Sequence, residues 1–202
     1  EVSAGVAANL WIIARDGYGN VRDVGGDDFV VQCCRRGAAY DAEVASSEHP
    51  ALHEDAVQCT VTDRRDGSYA ASFIRQRSGM YAARAFLRGA PLRGQLLCRV
   101  RAGPLAVRHC QVRGDGLRRA VAGERASFNV EARDEFGNLL GVGGERWALQ
   151  IEACQTDGEE AAASISAAQG AAGSLLVVDS GNGLYELSYI IPRAGSYKLR
   201  VG

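Results

Sequence analysis

Lysine, histidine, proline and methionine are scarce in this chain of 202 residues. Lys198 is the only lysine beside 22 arginines, and the chain has three histidines, four prolines and one methionine. Hydrophobic residues make up 47% and charged residues 23%, as in ordinary globular proteins. This composition excludes a disordered tail, a collagen and a coiled coil.

Long apolar runs and net charge are missing as well. No apolar run approaches the roughly 20 residues that a membrane helix needs, and no signal-peptide pattern opens the chain. The formal net charge is −1, which gives no reason to expect nucleic acid or an anionic membrane as a partner. Because the chain begins at Glu1 without a methionine, we expect a fragment of a longer protein, and from this fragment neither nucleic-acid nor membrane contact.

Residues that carry common catalytic and metal chemistry are nearly absent. His49 and His53 have metal-ligand spacing only on a helix, which Pro50 disfavours, and no cysteine or third histidine stands at a matching distance. His109 lies on a predicted edge strand, which argues against a Ser-His-Asp triad. No phosphate-binding glycine loop opens a helix. The sequence therefore predicts a protein that is not an enzyme, without catalytic residues, cofactors or a metal site.

The sequence contains an internal duplication. Four blocks recur in the same order, two at an offset of 118 residues and two at an offset of 116. A period above 100 residues indicates two domains in tandem rather than a solenoid of short units. The matching blocks are 10–20 with 128–138, 24–29 with 142–147, 61–69 with 177–185, and 79–81 with 195–197.

Each half alternates apolar and polar residues as β-strands do. Residues 10–14, 128–132, 147–153 and 185–189 all show this period of two, and Gly-Asn, Gly-Gly and Asp-Gly pairs separate the runs. No run has the apolar spacing of an amphipathic helix. The predicted fold class is therefore all-β, with two tandem immunoglobulin-like β-sandwich domains at residues 1–102 and 103–202.

Residues 103–124, GPLAVRHCQVRGDGLRRAVAGE, closely resemble the opening of a filamin (actin-binding-protein 280 type) repeat. Asp179, Tyr185 and the pair Gly195 and Tyr197 complete the pattern. The first repeat departs from it by lacking strand A at its start, and the second by lacking strand G at its end. The resemblance implies strands B to G at 6–15, 28–34, 55–62, 68–74, 79–87 and 94–101, then A to F at 107–113, 124–133, 146–153, 173–179, 184–191 and 195–201.

The same resemblance implies how partners bind. In filamin-like repeats an extended peptide segment of a protein partner adds a strand at the face between strands C and D. Backbone pairing there would supply affinity, and side chains would supply selectivity. Carried onto this chain, that face comprises Asp28, Val30, Gln32, Cys34, Val57, Gln58, Trp147, Leu149, Ile151, Leu175 and Val177.

Two functions fit such repeats. The first is a non-enzymatic structural module, a spacer and docking platform in a cytoplasmic cytoskeletal or ciliary scaffold. The alternative is an ectodomain fragment of a cell-surface, gamete-type adhesion protein, because plant and algal gamete-attachment proteins also carry filamin-like repeats. An accessory recognition domain of a ligase or regulator is less favoured. The oligomeric state is not predicted.

Two further features of the sequence are its long C–D connections and a group of arginines. The C–D connections, at about 35–54 and 154–172, are unusually long, and we expect loops there. Between Arg84 and Arg119 stand nine arginines and a single acid, Asp115. We favour solvated outward positions for these arginines over a basic ridge that binds an acidic partner.

The six cysteines bear on the cellular compartment. Neighbouring strand residues face opposite sides, and by repeat alignment Cys33 matches inward Ile151 and Cys59 matches inward Leu175. Cys33 and Cys59 are therefore either a candidate disulfide or two small buried apolar side chains. No asparagine begins a glycosylation sequon, which together with the resemblance favours the cytosol, whereas six cysteines leave secreted pairing open.

Overall fold

The structure is a computed structural model of the chain and describes residues 1–36, 56–154, 165–168 and 175–202, of which 165–168 as backbone only. The chain divides into two compact units, Glu1–Ala102 and Gly103–Gly202. Both are all-β and immunoglobulin-like, as the alternating pattern predicts. Each is built from two sheets that face each other across a core.

The first unit contains nine described strands. One sheet has the order β1-β9-β7-β3-β4, with β8 paired to β7, and the other has the order β2-β6-β5. The strands are β1 (Val2–Ser3), β2 (Ala7–Ile13), β3 (Phe29–Arg35), β4 (Val57–Gln58), β5 (Thr60–Asp63), β6 (Ser68–Ile74), β7 (Gly79–Leu87), β8 (Ala90–Pro91) and β9 (Leu96–Arg101).

The second unit has seven described strands, in sheets of order β10-β11-β15-β14 and β13-β12-β16. Short 3₁₀ turns, Val107–His109 and Asp115–Leu117, flank its first strand. The strands are β10 (Gln111–Arg113), β11 (Arg125–Glu131), β12 (Ala148–Ala153), β13 (Ile165–Ala168), β14 (Leu175–Asp179), β15 (Leu184–Ile190) and β16 (Tyr197–Val201).

The predicted strands are confirmed to within a few residues, and the differences have local causes. Predicted strand D of the first unit divides at Cys59: β4 pairs with β3, whereas β5 pairs with β6. The predicted strand over 107–113 begins as a 3₁₀ turn instead. Part of the second expected loop is also wrong, because β13 forms there and pairs with β12. The rest of both expected loops, 37–55 with His49 and His53, and 155–164 with 169–174, lies outside the described residues.

An aromatic pair sits at the same place in each core. The rings of Phe29 and Tyr69 lie 4.6 Å apart edge to face, and those of Trp147 and Tyr185 lie 5.4 Å apart in the same manner. All four side chains are buried. Edge-to-face packing is the favourable geometry for aromatic pairs, so each pair joins the strand C sheet to the strand E sheet.

A shared set of hydrogen bonds fixes the connection between strands B and C. The hydroxyl of Tyr69 accepts from the N–H of Asp27, 2.9 Å away, and in the second unit the hydroxyl of Tyr185 accepts from the N–H of Glu145, 3.1 Å away. Beside each tyrosine a carboxylate accepts from a glycine N–H in the same connection. The Asp63 carboxylate accepts from the N–H of Gly26 over 2.8 Å, and the Asp179 carboxylate accepts from the N–H of Gly144 over 2.7 Å.

A second carboxylate holds the preceding turn. Asp134 is fully buried and accepts hydrogen bonds from the backbone N–H groups of Phe136, Asn138 and Gly103 and from the Asn138 amide. Burial alone would raise the pKa of Asp134, but these hydrogen bonds outweigh it and hold the pKa below its usual range. Asp16 makes the matching turn bonds at the surface of the first unit.

Tyr185→Ala should destabilise the second unit by about 3–5 kcal/mol, because it removes a buried ring that packs on Trp147 together with the hydroxyl that satisfies Glu145 N–H. Denaturant unfolding of the whole chain, followed by the fluorescence of buried Trp147, measures this loss. Tyr197→Ala is the matched control, since Tyr197 is only partly buried and should cost less. An equal or smaller effect at Tyr185 would refute this description of the core.

Candidate protein interaction site

Among the described residues of the first unit, the side of β3 away from β7 pairs with β4 and Cys59. β4 pairs with β3 at Gln32 and Cys33, and the N–H of Cys59 donates to the carbonyl of Val31, 2.7 Å away. On the other side of β3, the N–H of Arg36 donates to Met80 of β7. The backbone groups of β3 therefore point to its two sides alternately. Those of one residue point to β7, and those of the next residue point to the β4 side.

The predicted side chains of this edge fall into two environments. Val30 and Gln32 are half-buried on the outer face of the β3–β7 sheet, and Cys34 on the same face is buried, packed with Ala82 and Ala56. Asp28, Val57 and Gln58 are exposed beside them. An incoming strand at this edge would thus meet polar and half-buried side chains.

In the second unit the chain itself occupies the corresponding edge. Backbone pairing of β12 with β13 runs over four residues, from Ala148 opposite Ala168 to Ile151 opposite Ile165. β16 fills the other side of β12. A partner strand could reach β12 only by displacing β13.

The predicted side chains of the second edge are core residues rather than surface residues. Trp147, Leu149, Ile151 and Leu175 are all at most 7% exposed, and Val177 is partly buried. Their inward direction follows from the period of two that identified the strand, since the apolar positions of a sandwich strand face the core. Buried in the core, the side chains of Trp147, Leu149, Ile151 and Leu175 therefore cannot select a partner strand at this edge. The strand that covers it, β13, lies in an alanine-rich stretch that carries no period-two signal.

The cysteines of the described structure are free thiols. Cys33 and Cys59 are both buried, as their alignment with Ile151 and Leu175 predicts, and they are not bonded to each other. Arg75 lies beside them and donates to the carbonyl of Cys33 over 2.6 Å. The two thiols therefore act as small apolar side chains of the core.

Their surroundings disfavour the reactive thiolate. Burial raises the pKa of Cys33 to about 11, although Arg75 opposes this rise. Burial, and after it the proximity of Cys33, raises the pKa of Cys59 to about 12. Because the thiolate is the nucleophile in thiol chemistry, both groups are protected from alkylation and exchange.

Candidate metal ligands are not clustered in the described part of the chain. Residues 1–36, 56–154 and 175–202 contain no group of three His, Cys, Asp or Glu side chains that could hold a metal ion. None of the described helical segments is long and apolar enough to cross a membrane.

The arginine-rich stretch is divided between the two units. Arg84 and Arg99 lie on the outer face of the β7–β9 pair, and Arg88 lies in the β7–β8 turn. Arg101 pairs with Glu1 at 3.0 Å. The arginines of this stretch that follow residue 103 belong to the second unit.

The family of the second unit follows from its sequence. The Filamin/ABP280 repeat model matches residues 104–202. Residues 104–202 belong to the Filamin/ABP280 repeat family. The first unit shares the motif positions, the aromatic pair and the loop hydrogen bonds of this filamin repeat. No curated protein matches the chain.

Solved structures of similar fold include bacterial adhesins. Invasin, a bacterial integrin-binding protein, matches over 99% of this chain and 34% of its own at 10% identity and a TM-score of 0.56. FdeC, an Escherichia coli adhesin, matches over 99% of this chain and 55% of its own at 17% identity and a TM-score of 0.53. The chain thus spans between a third and about half of the length of these proteins. At these identities the likeness shows the fold, and filamin repeats and immunoglobulin-like adhesin domains are non-enzymatic families.

The cysteine thiols should react with an alkylating reagent at different rates in the native protein. Exposed Cys154 should react with iodoacetamide first, and Cys33 and Cys59 should react last because their raised pKa values leave little thiolate at neutral pH. Mass spectrometry of a time course, with a denatured sample as the control, measures the order. Modification of Cys59 as fast as that of Cys154 would contradict the buried assignment.

Proposed function

We propose that this chain is a segment of the ectodomain of a cell-surface adhesion protein, in which tandem filamin-type units serve as a spacer that holds a binding region away from the surface. The proposal makes the chain non-enzymatic and extracellular. The likeness of the whole chain, rather than of one unit, to stretches of the adhesins invasin and FdeC carries it.

The start of the second unit suits a spacer. Gly103, which begins the second unit, donates its N–H to the buried carboxylate of Asp134 over 2.8 Å, and Ala106 donates to Arg133. The residues that enter the unit are thereby fixed to its surface instead of forming a loose tether.

A cytoplasmic scaffold that docks extended peptide segments is the second candidate, favoured by the filamin match of residues 104–202. For it we propose strand addition at the β4 side of β3, where a partner strand would take the place of short β4, which with Cys59 pairs there with Val31, Gln32 and Cys33 among the described residues. Strand addition at β12 would require release of β13. The partner would be an extended segment of a protein, since backbone pairing supplies its affinity.

Location in the source cells tests the first proposal. An antibody against this chain should stain intact, unpermeabilised cells, and brief external protease treatment should remove the signal. A cytosolic protein stained after permeabilisation serves as the control for cell integrity. Staining that needs permeabilisation would refute the adhesion proposal and favour the scaffold.

A reversible crosslink tests docking at β3. Gln32 and Gln58 lie directly opposite each other and form a non-hydrogen-bonded pair, where Cα atoms are about 4.5 Å apart and a disulfide fits. The Q32C/Q58C variant should lose capture of a peptide-segment partner when oxidised and regain it with dithiothreitol. Wild-type protein under both conditions is the control, and capture that persists in the oxidised variant would exclude this edge.

A further inference from the structure

Three arginines lie together at one end of the first unit. Arg35 ends β3, and Arg75 and Arg77 belong to the connection from β6 to β7. The Arg35 guanidinium donates to the carbonyl of Ser78 over 3.1 Å, and a side chain at Gly79 would strike that guanidinium. Arg35 therefore lies directly on the connection that carries the other two arginines.

Tyr81 joins the other two arginines to the same place. The guanidinium carbon of Arg75 lies 5.4 Å from the centroid of the Tyr81 ring, and the Tyr81 hydroxyl donates to the carbonyl of Arg77 over 2.8 Å. Burial raises the pKa of Tyr81, and the positive charges of all three arginines oppose that rise. The three charges therefore act on one hydroxyl group.

These three charges are not balanced by acids in the part of the chain that the structure describes. No carboxylate described there pairs with any of the three guanidinium groups, and the Nε groups of Arg35 and Arg75 are buried without a hydrogen-bond partner. Arg133 also has such an Nε, but its guanidinium pairs with Glu131 at 2.6 Å. A partly buried cation without a counter-charge is unfavourable, so the cluster is suited to an anion.

The second unit shows that the sandwich does not demand this cluster. It has the same connection between strands, with Arg193 in the place of Arg77 and the same bond from a tyrosine hydroxyl to the arginine carbonyl. It has no arginine in the places of Arg35 and Arg75. The residues that stand there are Ala153 and Ile191. Two of the three arginines are thus particular to the first unit.

The number of donors indicates the class of anion. A guanidinium group offers five N–H donors in a fixed fork that matches an oxyanion, and three such groups present more donors than the two oxygens of a carboxylate can accept. A sulfate or phosphate ester has three terminal oxygens in a tetrahedral arrangement, and a phosphate ester carries up to two negative charges. The cluster therefore fits a tetrahedral oxyanion better than a carboxylate.

We propose that Arg35, Arg75 and Arg77 form an oxyanion site, which binds a sulfate or phosphate ester group of a ligand. The bound group supplies the negative charge that the described residues around the cluster lack, and it accepts from the guanidinium forks. The site does not depend on either function proposed above, because it follows from the first unit alone.

Isothermal titration of the whole chain with sodium sulfate, sodium phosphate and sodium acetate, at constant ionic strength, tests the proposal. The wild-type chain should bind sulfate or phosphate at least about tenfold more tightly than acetate, and the same anion should raise the melting temperature. Tighter binding of sulfate assigns the site to sulfate esters, and tighter binding of phosphate assigns it to phosphate esters.

Matched variants locate the binding. R35A/R75I, which carries the residues of the second unit, should bind the preferred anion at least about tenfold more weakly. R35K/R75K keeps the charges but loses the forks, and it should also bind more weakly. R84A/R99A removes the same charge from the outer face of the β7–β9 pair and should bind like the wild type.

Circular dichroism of each variant shows whether it is folded. If R35A/R75I fails to fold, R77A tests the same site from an exposed position and should also weaken binding. A wild-type chain that binds neither sulfate nor phosphate, or binds acetate as tightly, would overturn the proposal. Binding that persists in folded R35A/R75I and R77A alike, or that R84A/R99A weakens as much, would overturn it too.

Discussion

The position of one tyrosine hydroxyl in each unit is the constraint on which the rest of the fold depends. Tyr69 and Tyr185 belong to strands of one sheet, yet their hydroxyls bind the backbone of the connection that leads into the opposite sheet. Each ring packs edge to face on the aromatic residue that begins that opposite sheet. A single side chain thus sets the spacing of the sheets and the path of the loop, and it gives a part-buried backbone N–H its hydrogen-bond partner.

This constraint explains why the architecture could be predicted from the sequence. The blocks that recur between the halves contain these tyrosines, the carboxylates Asp63 and Asp179, and the glycines they hold. Gly67 and Gly183 recur for a steric reason, because both have positive φ and a side chain there would strike a backbone carbonyl. The positions that recur between the two halves of the sequence are therefore those that hold each sandwich together.

What the sequence could not predict depends on contacts between distant segments. The division of predicted strand D at Cys59 reflects competition of β3 and β6 for the same few residues, which no local pattern records. β13 forms because the edge of β12 offers unpaired backbone groups, and such pairing is tolerant of sequence. Four of the five predicted docking residues of the second unit are core residues, since alternation identifies a buried face but not which edge of the sheet is open.

Function in a duplicated chain is expected where the two copies differ. Residues that hold the sandwich together are shared, so they say nothing about which partner either unit meets. The outer sheet faces have diverged instead, from Asn129 and Glu131 in one unit to Trp11 and Ile13 in the other. Neither pair belongs to the buried core of its unit. Trp11 is solvent-exposed, and the second unit folds with Asn129 in its place, so the two units present different surfaces there.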